Sequence, residues 1–178
     1  MNALTTSSKY PLSIRILHWL MAIIIICLLA VGLIMSDMPK TDPLRGTLYS
    51  LHKSFGVTIL MLFVLRLALR LKLGKPPLPD SIPRSERILA ELGHWALYGF
   101  MVAMPVSGYL MSTSYGLPVK WFSLALPKLV GIDKDRGMLA SDFHTYAAYA
   151  LIALLVLHVS AVLLHYVKHR TNLLRRMV

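Results

Sequence analysis

Residues 143–167 read FHTYAAYALIALLVLHVSAVLLHYV, 25 positions in succession without a formally charged side chain. A helix of about 20 apolar residues crosses the roughly 30 Å hydrocarbon core of a bilayer, so this stretch is predicted to span a membrane. It also contains His144 and His158. Ionisable residues inside membrane spans are rare and usually functional, so these two histidines guide the prediction of function.

Three further apolar segments accompany this one. Residues 16–35 and 92–112 carry no formal charge over 20 and 21 positions. The remaining segment has only 12 uncharged residues between Lys53 and Arg66, which is too short to cross a bilayer. It reaches a sufficient length if the basic residues near its two ends are included, because long basic side chains can extend to the membrane surface. We predict an all-α integral membrane protein, a four-helix transmembrane bundle forming one domain over residues 1–178. The predicted spans are about 14–36, 48–71, 90–113 and 140–168.

The composition agrees with a membrane bundle. Of the 178 residues, 56% are hydrophobic and the mean hydropathy is +0.62, whereas soluble domains contain about 45–50% apolar residues. A net charge of +11 would suggest nucleic acid in a soluble protein. Here the basic residues cluster at the ends of the apolar segments, where they meet lipid headgroups. We therefore expect a lipid bilayer as partner, and no nucleic acid.

Lysine and arginine are unevenly divided between the two predicted faces. Twelve belong to the face that carries both termini and the 66–87 segment, and seven belong to the opposite face. Cytoplasmic loops of membrane proteins carry the excess of positive charge. We therefore predict that both termini are cytoplasmic.

Depth within the spans pairs four histidines. His144 and His158 are 14 residues apart, so they share a helix face within about 40° and lie about 21 Å apart along the axis. His52 begins the second span at the outer face, level with His144, and His18 begins the first span at the cytoplasmic face, level with His158. Two facing imidazoles form a slot for a haem, and iron with two axial imidazoles favours electron transfer because no position stays open for substrate.

Two other features bear on a haem. Cys27 is the only cysteine, so a C-x-x-C-H attachment motif is absent and any haem is held non-covalently. Small residues follow each histidine by about one turn and leave room for a flat ring, although they also suit plain helix packing. They are Ala22, Gly56, Ala148 and Ala161.

Two histidines have open assignments. His165 lies seven residues past His158 on nearly the same face, so it competes for the inner site. His94 lies near the cytoplasmic start of the third span, beside Trp95. It is a candidate for contact with a haem propionate or for a quinone pocket, and an ordinary interfacial histidine is the alternative.

Three basic residues are candidates for propionate binding. Arg66 and Arg70 lie one turn apart at the inner end of the second span, and Lys53 follows His52 at its outer end. Arginine pairs with carboxylates through two parallel hydrogen bonds, and haem carries two propionates. For Arg66 and Arg70, membrane topology and contact with lipid phosphate are the slightly favoured alternative.

A series of short motifs resembles the bacterial dihaem cytochrome b561 proteins, which are related to the cytochrome b subunits of membrane hydrogenases. The resemblance covers nearly the whole chain and lies in the order and spacing of the motifs. They are ILHW at 16–19, LHKSFG at 51–56, RLALR at 66–70, GH at 93–94, MPVSG at 104–108, FHT at 143–145, LH at 157–158 and NLLRRM at 172–177.

The resemblance implies a protein of the bacterial inner membrane with two non-covalent haem b groups. The ligand positions of that family match His18, His52, His144 and His158, which would come from the first, second and fourth helices. The resemblance thereby favours His158 over His165 as the inner ligand. It also implies exchange of electrons with a membrane quinone.

The leading functional hypothesis is transmembrane electron transfer, with quinone as substrate and superoxide as a candidate outer donor. The alternative is a haem b membrane anchor that passes electrons to or from a partner protein, a separate dehydrogenase or hydrogenase-like enzyme. In both cases the chain is an electron carrier. It would also be an enzyme if it oxidised or reduced quinone itself, as a quinone-linked oxidoreductase. A non-redox metal or proton carrier is disfavoured, because such carriers place Asp or Glu within their spans and the uncharged cores here contain neither.

Overall fold

Four long helices make up most of the computed structural model, which describes residues 9–77, 82–169 and 172–178. The helices are α1 (Leu12–Asp37), α2 (Pro43–Leu73), α3 (Arg84–Ser114) and α4 (Lys134–His169), followed by a short 3-10 helix (Leu173–Arg176). Each of the four predicted spans falls within one of these helices. The parts of the predicted domain at 1–8, 78–81 and 170–171 lie outside the described residues.

Local chemistry explains where two of the helices begin and end. α2 begins after Asp42, whose carboxylate accepts a hydrogen bond from the Leu44 backbone N–H at 2.8 Å, the usual N-cap arrangement. It ends at Gly74, whose φ of 74° lies in the left-handed region that glycine adopts without steric cost. Asp133 caps α4 in the same way, because its carboxylate accepts from the Arg136 backbone N–H at 2.9 Å.

All four helices contribute to one apolar core. α3 packs most extensively against α4, α1 packs against α2, and α2 also contacts α3. The buried residues at the centre are Met21, Ile59, Phe63, Met101 and Leu151. This core lies midway along the bundle, so it separates the two levels at which the histidines occur.

The first described residues of the chain and the C-terminal tail lie together at one end of the bundle. The Tyr10 backbone N–H donates to the Arg176 carbonyl at 3.0 Å. The Arg176 guanidinium, which is 4% exposed, donates to the carbonyl oxygens of Pro76 and Pro77, and burial lowers its pKa below the usual value. We call this the terminal end. The opposite end, which carries the connections 38–42 and 115–133, is the loop end.

A small hairpin packs against the side of α2 near the loop end. Ser54, which is buried, accepts a hydrogen bond from the Phe122 backbone N–H at 2.9 Å. Trp121 Nε1 donates to Thr58 Oγ1 at 3.1 Å. These bonds hold the 115–133 segment against the start of α2, beside His52. The hairpin consists of two antiparallel strands, β1 (Lys120–Trp121) and β2 (Leu124–Ala125).

Large apolar side chains cover the outside of the helices. Ile23, Ile26, Val64, Leu157 and Leu163 are each more than half exposed, and soluble proteins rarely expose apolar surface on this scale. Within the described residues, α1, α2 and α4 are long and apolar enough to span a membrane. α3 is as long as α2, but its glycines, histidine and internal proline make it less apolar. The structure is therefore a mostly helical protein suited to a bilayer.

Candidate cofactor sites

One pair of imidazoles lies at the loop end. The ring centroids of His52 on α2 and His144 on α4 are 6.4 Å apart, with an angle of 71° between the ring planes. Metal–imidazole bonds are about 2.0–2.1 Å long, so two imidazoles that share an ion from opposite sides have centroids about 6 Å apart. His52 Nδ1 is buried and has no hydrogen-bond partner in the described structure. The pair is therefore compatible with a shared metal ion.

Glycines from the other two helices flank this pair. A Cβ at Gly32 of α1 would lie 3.2 Å from His52 Cε1, and a Cβ at Gly108 of α3 would lie 3.2 Å from His144 Cε1. All four helices therefore shape the site. The sequence singled out Gly56 instead, where an added Cβ would meet nothing within 4 Å. Counting along a helix finds residues on that helix, whereas both glycine contacts come from neighbouring helices.

Groups on α3 orient the His144 ring. Ser107 Oγ lies 2.9 Å from His144 Nδ1 and donates to the Met104 carbonyl at 3.0 Å. With Nδ1 engaged, Nε2 is the nitrogen left to bind a metal. Histidines that bind metals usually engage their second nitrogen in this way. Ser107 was not among the candidate site residues, although it lies in the MPVSG motif.

Three imidazoles gather near the terminal end. The ring centroids of His94 and His158 are 5.7 Å apart, and His18 interacts electrostatically with both rings and with Arg66. The Arg66 Nε is buried without a hydrogen-bond partner among the described residues. The sequence predicted that His18 pairs with His158. The ring that the structure places beside His158 is that of His94, and the pairing of His18 with His158 stays a prediction.

Trp19, the residue after His18, connects α1 to the C-terminal tail beside this site. Its indole Nε1 donates to the Met177 carbonyl at 2.8 Å. Its ring packs edge-on against that of His18, with 5.4 Å between the ring centroids. The C-terminal tail therefore contacts α1 directly beside His18.

His165, the competitor of His158, has a different contact. Its Nε2 lies 3.5 Å from a carboxylate oxygen of Glu86 on α3, and the two side chains are only 14% and 25% exposed. The ring therefore faces a carboxylate at the end of α3. A histidine held by this carboxylate has less freedom to turn toward an iron shared with another imidazole.

Two of the predicted propionate contacts are engaged within the protein. Arg70 donates to the Tyr98 hydroxyl and stacks over that ring at 5.4 Å. Lys53 Nζ donates to the Pro118 carbonyl of the 115–133 segment at 3.3 Å. Of the three basic candidates, Arg66 alone keeps a buried N–H without a partner in the described structure.

These sites suit a haem better than a bare metal ion. Among the side chains that the structure describes, at 9–77, 82–167 and 172–178, no three from His, Cys, Asp or Glu converge to hold an ion. Two imidazoles complete an iron site when a porphyrin supplies the other four nitrogens. The 6.4 Å between the ring centroids of His52 and His144 therefore fits a haem that would be held between them.

Comparison with known proteins identifies the family. The prokaryotic cytochrome b561 family matches residues 9–178. The chain belongs to this family. It is 32% identical to "Cytochrome b561 homolog 2" of Escherichia coli (strain K12), over 100% of this chain and 95% of that protein. It is 26% identical to "Probable superoxide oxidase CybB" of Yersinia pestis, over 91% of each chain.

Family membership fixes the general chemistry. Prokaryotic cytochromes b561 are membrane proteins that bind haem b and transport electrons. The predictions of haem, of electron transport and of membrane-spanning helices are thereby confirmed for this cytochrome b561. The roles of the individual histidines stay predictions.

Proposed function

We propose that this cytochrome b561 carries electrons across the bacterial inner membrane between two haem b groups and exchanges them with membrane quinone. The observation that best supports two sites is the occurrence of close imidazoles at two levels of the bundle. His144 and His158 lie on the same helix, about 21 Å apart along its axis. The apolar core lies between these two levels.

Each haem would be held by imidazoles from two helices, His52 with His144 at the loop end and His18 with His158 at the terminal end. A haem held in this way would supply one-electron transfer, and two histidine ligands would leave its iron no position open for substrate. The chain orients His144 through Ser107.

His94 is the rival ligand at the terminal end. Its imidazole lies beside that of His158, with 5.7 Å between the ring centroids. We assign ligation to His18 because the ILHW motif at 16–19 carries the resemblance to the family. His94 then remains a candidate for contact with a propionate or a quinone.

The proposed topology has four spans with both termini in the cytoplasm. α3 would cross together with α1, α2 and α4, because it is as long as α2 and packs against both α2 and α4. The bonds among the N-terminal segment, the tail and Pro76 bring both termini to the same end as the 66–87 segment. The excess of lysine and arginine at that end supports a cytoplasmic position.

Superoxide is the proposed donor at the outer, loop end. Its support is the relative named as a probable superoxide oxidase and two exposed cations at that end, Lys120 and Lys128, which attract an anion. Two superoxide anions would each lose one electron and become two molecules of dioxygen. One quinone would take up those two electrons and two protons and become quinol.

The test is quinol formation by the purified haem-loaded protein in quinone-containing liposomes under an external flux of superoxide. We expect turnover with the native protein and with Leu139→Ala, which changes an exposed residue on α4, and no turnover above background with His52→Ala. Equal rates for the native protein and His52→Ala would refute the proposal. Absence of turnover alone, together with co-purification of a dehydrogenase, would instead support the role of a haem anchor.

A further inference from the structure

We propose that Arg45 and Arg15 bind haem propionates, Arg45 at the loop end and Arg15 at the terminal end. This inference rests on the two haem sites proposed above. Neither arginine was a candidate from the sequence, which singled out Lys53, Arg66 and Arg70 for this task.

Arg45 lies on the same face of α2 as His52. Seven residues turn a helix by about 700°, within about 20° of two full turns, and advance it by about 10 Å, so Arg45 lies beyond His52 toward the loop end. Its guanidinium stacks over the Tyr49 ring at 4.8 Å and Nη2 donates to the Tyr49 hydroxyl at 3.3 Å. Its Nε is buried without a hydrogen-bond partner among the described residues. Tyr49 therefore fixes the position of the guanidinium, and the Nε–H donor of Arg45 has no partner in the described structure.

Arg15 shares one of these features at the terminal end, a buried Nε without a partner in the described structure. It precedes His18 on α1 by three residues, which is slightly less than one turn, so it lies farther toward that end. Arg66 on α2 interacts electrostatically with the same histidine, so it is a second cation at the terminal-end site.

These unused donors indicate a missing anion. A buried charged group without its hydrogen bond is costly, and buried arginines are normally paired. In the described part of the chain, Arg15, Arg45 and Arg66 form no ion pair with a carboxylate, whereas Arg136 pairs with Asp133.

A haem propionate supplies the anion that these positions need. Its carboxylate accepts two parallel hydrogen bonds from one guanidinium. Both Arg15 and Arg45 lie between their histidine and the nearer end of the bundle, the direction in which a propionate would reach the membrane surface. A lipid phosphate offers the same chemistry, so the experiment must separate these two sources.

The experiment measures binding of haem b and of its dimethyl ester, in which both propionates have lost their charge. Each site is isolated first, the loop-end site in a His158→Ala background and the terminal-end site in a His144→Ala background. Arg45→Gln is tested in the former and Arg15→Gln in the latter. The matched controls are Lys128→Gln at the loop end and Lys72→Gln at the terminal end, since both lysines are exposed.

We expect each background to bind haem b roughly ten- to hundredfold more tightly than the ester, the range that charge-assisted hydrogen bonds give. Arg45→Gln and Arg15→Gln should remove most of the preference for haem b over the ester. The two lysine controls should keep the full preference, and Arg45→Lys should keep part of it. In a redox titration, Arg45→Gln should also make the midpoint potential of the loop-end haem more negative, because a nearby positive charge stabilises the reduced form.

Two results would overturn the inference. One is a preference for haem b that survives in both glutamine variants. The other is an equal loss of affinity for haem b and ester, which would mean that the arginines bind lipid phosphate or serve the fold alone. A background that binds no haem at all would instead contradict the histidine assignment in the proposed function, so the two failures are distinguishable.

Discussion

Gly32 and Gly108 are the residues at which one added methyl group would disturb the loop-end site most. A Cβ at either position would lie 3.2 Å from the Cε1 atom of a histidine ring, so the ring would have to shift by a few tenths of an ångström. A metal ligand tolerates such a shift poorly, because its nitrogen must stay aligned with the ion.

We therefore expect Gly108→Ala and Gly32→Ala to weaken haem binding at the loop end by about 1–3 kcal/mol, the usual cost of overpacking. Haem per chain and the visible spectrum measure the effect. Gly46→Ala and Gly99→Ala are the controls, because an added Cβ there meets nothing within 4 Å. Equal haem content in all four variants would show that the two contacts do not constrain the rings.

Single histidine replacements test the ligand assignment. His52→Ala should remove only the loop-end haem and His18→Ala only the terminal-end haem, because each loses one of two axial ligands, while His94→Ala and His165→Ala should keep both. Redox titration of the visible spectrum resolves the two haems. Loss of a haem in His94→Ala together with a tolerant His18→Ala would assign the ligand to α3 instead.

The pairing of His52 with His144 was predictable because histidines are conspicuous in apolar segments and helical rise gives their depth. Their rings do lie together, although their role as ligands stays a prediction. The cluster of His94 with His158 was not predictable, because depth alone does not tell which helices adjoin. Ser107 and Gly108 were not predictable for the same reason. Their contacts with His144 depend on which face of α3 is turned toward α4.

At the scale of elements, the C-terminal tail closes the terminal end through one side chain. The Arg176 guanidinium donates to two backbone carbonyls of the segment that follows α2, and its own carbonyl accepts from Tyr10. The tail thereby joins the start of α1 to the end of α2.

We expect Arg176→Ala to lower the free energy of unfolding by about 1–3 kcal/mol, because it leaves two carbonyls without their charged donor. Arg175→Ala is the matched control, since Arg175 is exposed, and it should change stability by less than about 0.5 kcal/mol. Thermal unfolding in detergent compares the two. Equal effects would mean that the tail is held by its general charge and not by this contact.

Each of the four helices extends beyond the apolar segment that predicted it. Asp42 and Asp133 cap α2 and α4 several residues before the predicted spans begin, so the helices continue into polar sequence. The hairpin at 120–125 was missed because strands of two residues carry no alternating pattern. Its position depends on hydrogen bonds to Ser54 and Thr58 on α2.

At the scale of the whole molecule, orientation decides which haem site faces which compartment. With Cys27→Ser as background, Lys128→Cys at the loop end should react with a membrane-impermeant maleimide in intact cells, and Lys75→Cys at the terminal end should react only after the membrane is opened. Both lysines are exposed, so the membrane alone controls access. The reverse pattern would invert the proposed topology.

The central proposal is that one chain holds two haem b groups, one near each end of the bundle. The most direct measurement is the amount of haem b extracted from a known amount of purified protein. We expect two equivalents per chain, falling to one when His52 or His18 alone is replaced by alanine. One equivalent in the native protein, or a folded colourless preparation, would contradict the proposal.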